Sequence, residues 1–159
     1  NKFFKHKKKY DVVFYFRKNQ NKNNIIQKKL IDNHYKVIII GDNPFLNNSI
    51  YLGNLERNKA LYYISKARFA VNSNENMYSL FCLDALSCGT QVVYLGNKNS
   101  KYNFFYKNSI IQKKINNIDK QFLFLKKILD RKKVVKIKVN KNFLLNKKKI
   151  KNYFLKLKL

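Results

Sequence analysis

Glycine, alanine and proline are scarce in this chain of 159 residues. Lysine, asparagine, isoleucine, phenylalanine and tyrosine dominate instead, and these are the residues of A/T-rich codons. Residues that persist against such a coding bias are expected to have a structural or functional reason. We therefore expect the middle of the chain to be its constrained part, because every glycine, alanine and proline lies there. These residues are Gly41, Pro44, Gly53, Ala60, Ala67, Ala70, Ala85, Gly89 and Gly96.

Acidic residues are also few, at 8 against 35 basic ones, which gives a formal net charge of +27. Such a charge normally indicates nucleic acid, an anionic membrane or an acidic partner. Coding bias explains it better here, because a protein that reads nucleic acid is expected to use arginine, whose planar fork recognises phosphate and guanine. Nucleic acid is therefore an unlikely partner. Arginine is confined to Arg17, Arg57, Arg68 and Arg131.

Cysteine, histidine and long apolar runs supply no metal, redox or membrane signal. Cys82 and Cys88 are six positions apart without a C-x-x-C motif, and His6 and His34 are isolated, so we expect no metal and no cofactor. No run approaches the roughly eighteen apolar residues of a membrane span, and no signal peptide is visible. We expect a cytoplasmic protein. The Lys-rich start, Lys2–Lys9, is interpreted as a linker, with peripheral contact to an anionic membrane as the alternative.

Strand-like and helix-like segments alternate between residues 11 and 96. Buried strands are predicted where apolar runs end in charge or turn residues, and helices where apolar residues recur at helical spacing. The alternation predicts an α/β fold with a doubly wound parallel sheet, in which ligands bind at the carboxyl ends of strands. The predicted strands are Asp11–Phe16, Tyr35–Ile40, Ser49–Leu52, Arg68–Asn72 and Gln91–Leu95, and the helices are Asn24–Asp32, Glu56–Lys66 and Ser79–Ser87.

The length predicts one domain, from residue 11 to residue 140, after a basic lead-in or linker at 1–10 and before a basic C-terminal helix at 141–159. A helix at Ile118–Leu129 and a strand at Val134–Val139 are also predicted. The chain starts with Asn1 rather than Met, so we expect a fragment or a processed product that lacks a partner domain. The inward residues of two helices are predicted to be Ile25, Ile26, Leu30 and Ile31, and Phe122, Leu125, Ile128 and Leu129.

Several charged residues and turns fall at the predicted carboxyl edge of the sheet. Arg17 and Lys22 follow the first strand, and the turns at Gly41 and at Gly53-Asn54 follow the next two. A diphosphate needs cations or helix amino termini, which makes this edge a candidate binding site. The alternative for Arg17 and Lys22 is that they are simply two of 35 basic residues.

Two of the eight acidic residues flank a loop and the first turns of a helix. Glu75 belongs to the loop and Asp84 to the helix. A carboxylate can accept two hydrogen bonds from a ribose diol, which makes them candidates for contacts with a sugar or a ribose. The plain structural alternatives are a solvated helix face for Asp84 and a charge favoured near a helix amino terminus for Glu75.

The run at positions 61–93, LYYISKARFAVNSNENMYSLFCLDALSCGTQVV, carries several short motifs in a fixed order. It resembles the C-terminal, donor-binding domain of the retaining GT-B glycosyltransferases called group 1 or family 4. Fainter matches upstream, at Phe16-Arg17, Lys22-Asn23 and Leu52-Gly53, extend the resemblance to roughly residues 11 to 96. The matching motifs are Ala67, Ser73, Glu75, Tyr78-Ser79-Leu80, Asp84-Ala85-Leu86, Cys88-Gly89 and Val92-Val93.

The resemblance implies a Rossmann-like half of a GT-B enzyme that transfers a sugar from a nucleotide-diphosphate sugar to an acceptor, with retention and without a metal. The partner it implies is an N-terminal acceptor domain, in the same or another chain. Arg17 and Lys22 would stabilise the diphosphate and the charge that builds on it as the sugar leaves. Asp84, where the family usually has Glu, would hold the ribose hydroxyls.

The resemblance also implies that the loop before the helix faces the donor, through Asn76, Met77, Tyr78, Ser79 and Leu80. Glu75 would contact the sugar or support this loop. The family spaces its acidic pair eight apart, which would place the first acid at Asn76, so Asn76 is the alternative sugar contact. The family also has Gly where this chain has Ser79.

Two further functional hypotheses compete with the glycosyltransferase. One is a non-catalytic module of the same fold, such as an accessory subunit. The other, favoured only by the charge, is a basic nucleic-acid-binding protein, whose binding would weaken steeply with rising salt.

Overall fold

Six parallel strands form one sheet with helices on both faces in the computed structural model, which describes residues 7–17, 24–72, 79–95 and 110–131. A parallel sheet covered on both sides needs apolar residues on both sides, which explains its nearly continuous apolar strands. The elements are β1 Tyr10–Phe16, α1 Ile25–Asp32, β2 Val37–Gly41, β3 Ile50–Tyr51, α2 Arg57–Lys66, β4 Ala67–Asn72, α3 Leu80–Ser87, β5 Gln91–Tyr94, β6 Ile110–Gln112 and α4 Ile118–Leu129.

The strand order is β3-β2-β1-β4-β5-β6, which is the order of the doubly wound Rossmann fold. The chain proceeds from β1 through β2 to β3 on one side and from β4 through β5 to β6 on the other. The two directions diverge at the neighbouring strands β1 and β4, which pair with Phe14 opposite Val71. The predicted α/β class with a doubly wound parallel sheet is therefore confirmed for the described residues.

Successive residues of β1 supply both halves of the core. Val12, Phe14 and Phe16 point to the face covered by α1 and α4. Val13 points to the opposite face, where it packs with Ile64 of α2 and residues of α3. This alternation follows from the two-residue period of a strand.

The predicted elements that fall within the described residues agree with the structure to within two residues at each end, and the helix Ile118–Leu129 has the predicted bounds. Strand β6 was not predicted, because three residues in a Lys- and Asn-rich stretch carry too little apolar pattern. The predicted inward side of α1 is wrong at Ile25, which is 41% exposed, whereas Ile26 and Leu30 are buried. Ile25 is the first helical residue, and it lies beyond the edge of the face that meets the sheet.

Some predicted segments lie outside the described residues, namely the strand at 134–139, the basic C-terminal helix at 141–159 and the first six residues of the lead-in predicted at 1–10. Cys82 and Cys88, both in the described part of the chain, are buried and not joined by a disulfide. No helix within the described ranges is long and apolar enough to cross a membrane.

Candidate functional site

The carboxyl ends of β1 and β4 lie side by side where the strand order reverses, and ligands of doubly wound sheets bind in the crevice at this point. Arg17 follows the last residue of β1, and Asn72 is the last residue of β4. The segments that come next in sequence, 18–23 and 73–78, are outside the described residues. These segments contain five of the predicted site residues: Lys22, Glu75, Asn76, Met77 and Tyr78.

Arg17 is linked to the start of α3 through two aromatic rings. Its Nε donates a hydrogen bond of 2.9 Å to the phenolic oxygen of Tyr15, and its guanidinium carbon lies 5.2 Å from the centre of that ring. The Tyr15 ring stacks on Phe81 of α3, with centroids 6.0 Å apart and an angle of 27° between the planes. The guanidinium thus stands at the strand end that faces the first turn of α3.

Helix α3 begins with an ordinary serine cap. The Ser79 hydroxyl accepts a hydrogen bond from the backbone N–H of Cys82 at 3.4 Å, and the backbone of Ser79 has a φ of −54°. No left-handed conformation is needed there, so a serine can occupy the position where the resembled family has glycine. Leu80, the first helical residue, is 72% exposed. Unpaired N–H groups at a helix start attract anions.

Gly41, the last residue of β2, packs closely against the end of β1 and is hydrogen-bonded to Gly53, which follows β3. Gly41 has a φ of +109°, and a Cβ there would lie 2.2 Å from the carbonyl oxygen of Phe16. The N–H of Gly41 donates to the carbonyl oxygen of Gly53 at 3.0 Å, and the carbonyl oxygen of Gly41 accepts a hydrogen bond from the hydroxyl of Tyr51 at 3.1 Å. This close packing fixes where the chain leaves β1 and therefore where Arg17 begins.

Asp84 forms an ion pair with Arg57, the first residue of α2. An Arg57 guanidinium nitrogen lies 2.9 Å from Asp84 Oδ1, and the Asp84 side chain is 17% exposed. Asp84 is therefore not simply a solvated residue on the face of α3, which was the alternative that the sequence offered. Arg57 follows the turn at Gly53-Asn54 closely in sequence, so the ion pair ties α3 to the same edge of the sheet.

Asn72 joins the end of β4 to α3 from within the core. Its side chain is 3% exposed, and its amide nitrogen donates to the sulfur of Cys82 at 3.0 Å. Tyr15, Arg57 and Asn72 were not predicted as site residues. Arg57 could have been singled out from the sequence, because arginine is rare in this Lys-rich chain. Tyr15 could not, because it is one of eleven tyrosines.

The structure therefore gathers Arg17, Gly41, Gly53, Asn54 and the start of α3 along one edge of the sheet, with Asp84 bound to the neighbouring Arg57. Within the described ranges, no three His, Cys, Asp or Glu side chains come together as metal ligands do. The arrangement offers a cation, a helix start and a carboxylate, which suits a ligand that carries both phosphate and hydroxyl groups.

No protein-family model matches this chain, and a search of curated proteins finds no relative.

Proposed function

We propose that this chain is the donor-binding domain of a GT-B glycosyltransferase, which binds a nucleotide-diphosphate sugar and transfers the sugar to an acceptor held by another domain. One observation carries the proposal: Arg17, Tyr15 and Phe81 connect a guanidinium to the start of α3 where the strand order reverses. Diphosphates pair with guanidinium groups and with helix amino termini.

In this proposal the donor is held by residues of the crevice and by residues of the segments that follow β1 and β4 in sequence. As the bond between the sugar and the diphosphate breaks, negative charge builds on the departing phosphate, and Arg17 with Lys22 neutralises it. Asp84 accepts hydrogen bonds from the ribose, and Arg57 orients its carboxylate. The sugar contacts Glu75 or Asn76, and the transfer proceeds with retention. Two buried cysteines without a disulfide fit the reducing cytoplasm, where we place the activity.

A thermal-shift screen of nucleoside diphosphates and nucleotide sugars tests donor binding, because a ligand that binds only the folded state raises the melting temperature. We expect one nucleoside diphosphate and its sugar conjugate to stabilise the wild-type chain and to lose most of that effect in Arg17→Ala/Lys22→Ala. The matched control is Lys126→Ala/Arg131→Ala, which removes one lysine and one arginine at the last turn of α4 and just beyond it. Equal shifts in all three proteins would contradict the proposal.

A non-catalytic module of the same fold is the second candidate, and one contact favours it. Asp84 already has an ionic partner in Arg57, as expected of a carboxylate that stabilises the fold. The two functions differ in turnover. A transferase cleaves its donor and releases nucleoside diphosphate once an acceptor and the acceptor domain are present. A module binds the donor without cleaving it.

A further inference from the structure

A basic cavity of about 680 Å³ lies between residues 113–117, which follow the edge strand β6, and one side of α4, and no residue of β1 or β4 lines it. Four lysines line it, two from the segment and two from the helix, and no carboxylate is among the described lining residues. Asp119, at the start of α4, is bound by Lys29 of α1 at 2.9 Å. The positive charge of the cavity is therefore not neutralised by its own lining. The lysines are Lys113, Lys114, Lys120 and Lys127.

The cavity is held open by hydrogen bonds that fix the segment against the helix. The Gln121 side chain donates to the carbonyl oxygen of Ile115 at 2.6 Å, and Asn117 caps the backbone N–H of Lys120 at 3.0 Å. The backbone N–H of Lys113 donates to the carbonyl oxygen of Tyr94 at 3.0 Å. A ligand therefore finds the backbone of the cavity already ordered and has to order only side chains, which favours binding.

Apolar groups lie beside the lysines in the same cavity. Leu123 is 62% exposed, and the Lys113 ammonium is 5.1 Å from the centre of the Phe124 ring. On α4, Lys120, Leu123, Phe124 and Lys127 follow the spacing of one helical face. A ligand that matches this lining carries negative charge and an apolar body together.

That ligand must come from another molecule. Of the eight acidic residues in the chain, only Glu75 lies outside the described residues, and the long segments 96–109 and 132–159 contain none. An acidic protein and an anionic phospholipid could both supply the charge. The phospholipid fits better, because its phosphate suits an open cavity lined by four lysines while its acyl chains suit the exposed leucine in the same lining.

We propose that this cavity binds the headgroup of an anionic phospholipid at a membrane surface, with Leu123 entering the boundary between headgroups and acyl chains. The site is separate from the donor crevice and does not depend on the proposed function. It also differs from the Lys-rich start of the chain, because it rests on a formed cavity.

Fluorescence tests the apolar contact directly, since the chain contains no tryptophan. A Leu123→Trp variant carries one reporter at the cavity, and Tyr62→Trp carries one on α2, which packs on the opposite face of the sheet. Vesicles of phosphatidylglycerol and phosphatidylcholine should shift the emission of the Leu123→Trp variant to shorter wavelength and leave that of Tyr62→Trp unchanged. A shift in both, in neither, or only in the second would overturn the proposal.

Co-flotation with the same vesicles tests the charge. The double variant Lys120→Gln/Lys127→Gln should bind roughly 25-fold more weakly than wild type, since each lysine near an anionic surface contributes about fivefold. The control Lys28→Gln/Lys126→Gln loses the same charge from exposed positions outside the cavity, so the general attraction of a basic chain is matched. Equal weakening of both variants would refute a specific site. Competition by inorganic phosphate alone at comparable concentration would show a soluble-anion site instead.

Discussion

Replacing Gly41 with alanine should destabilise the sheet more than the same change at any exposed turn. The new Cβ would lie 2.2 Å from the carbonyl oxygen of Phe16, which is backbone and cannot rotate away, and the φ of +109° is unfavourable for any side chain. Overpacking typically costs about 1–3 kcal/mol, and a left-handed backbone costs a further 1–2 kcal/mol or so. We therefore expect a loss of about 2–5 kcal/mol, a large part of the usual stability of a domain.

Gly53→Ala is the matched control, because Gly53 also has a positive φ, of +72°, but its nearest heavy atom would be 3.9 Å from the new Cβ. It should lose only about 1–2 kcal/mol. Urea unfolding followed by circular dichroism separates the two: with a slope of about 2 kcal/mol per molar urea, the midpoints fall by roughly 1–2.5 M and 0.5–1 M. A midpoint for Gly41→Ala equal to or above that of Gly53→Ala would refute the close packing of β1 and β2.

Three other variants probe two ion pairs and the partly buried Lys8. Burial lowers the pKa of Lys8 to about 8, so the native state loses this proton at a lower pH than the unfolded state does. The stability of the wild type should therefore rise from pH 8 to about 10, and Lys8→Met should reduce that rise in urea titrations. Asp84→Asn should cost at most about 1 kcal/mol, because Arg57 is mostly exposed, yet weaken donor binding clearly in calorimetry. Arg68→Lys should cost about 1–3 kcal/mol in urea unfolding, because Arg68 bonds Asp11 with one guanidinium nitrogen and two backbone carbonyls with another, and a lysine has a single nitrogen.

The fold could be predicted from the sequence wherever a strand is buried on both faces. Segments such as Val12–Phe16 and Val37–Ile40 are apolar throughout. The first is flanked by the charged residues Asp11 and Arg17 and the second is followed by Gly41, so both the type and the ends of these strands could be predicted. Strand β6 has three residues, and it exists because β5 offers it an edge to pair with. The edge of β5 exists only once the sheet has assembled, so the local sequence of residues 110–112 does not predict the strand.

The candidate site was predictable in position but only partly in its contacts. Arg17 could be placed at the carboxyl edge because it follows a strand, and Asp84 could be placed on a helix. The contacts that define their surroundings are long-range: Arg57 is 27 residues from Asp84, and Phe81 is 66 residues from Tyr15. Pairings of this kind depend on how α2, α3 and β1 pack, which local spacing does not encode.

Calorimetric titration of the nucleoside diphosphate found in the screen into wild type, Arg17→Ala and Arg131→Ala tests the proposed donor site most directly. A charge-assisted hydrogen bond contributes about 1.5–3 kcal/mol, so Arg17→Ala should weaken binding by roughly 10- to 150-fold while Arg131→Ala binds as wild type does. Equal affinity of all three proteins, or no binding by any, would contradict the assignment of the crevice between β1 and β4 to a nucleotide sugar.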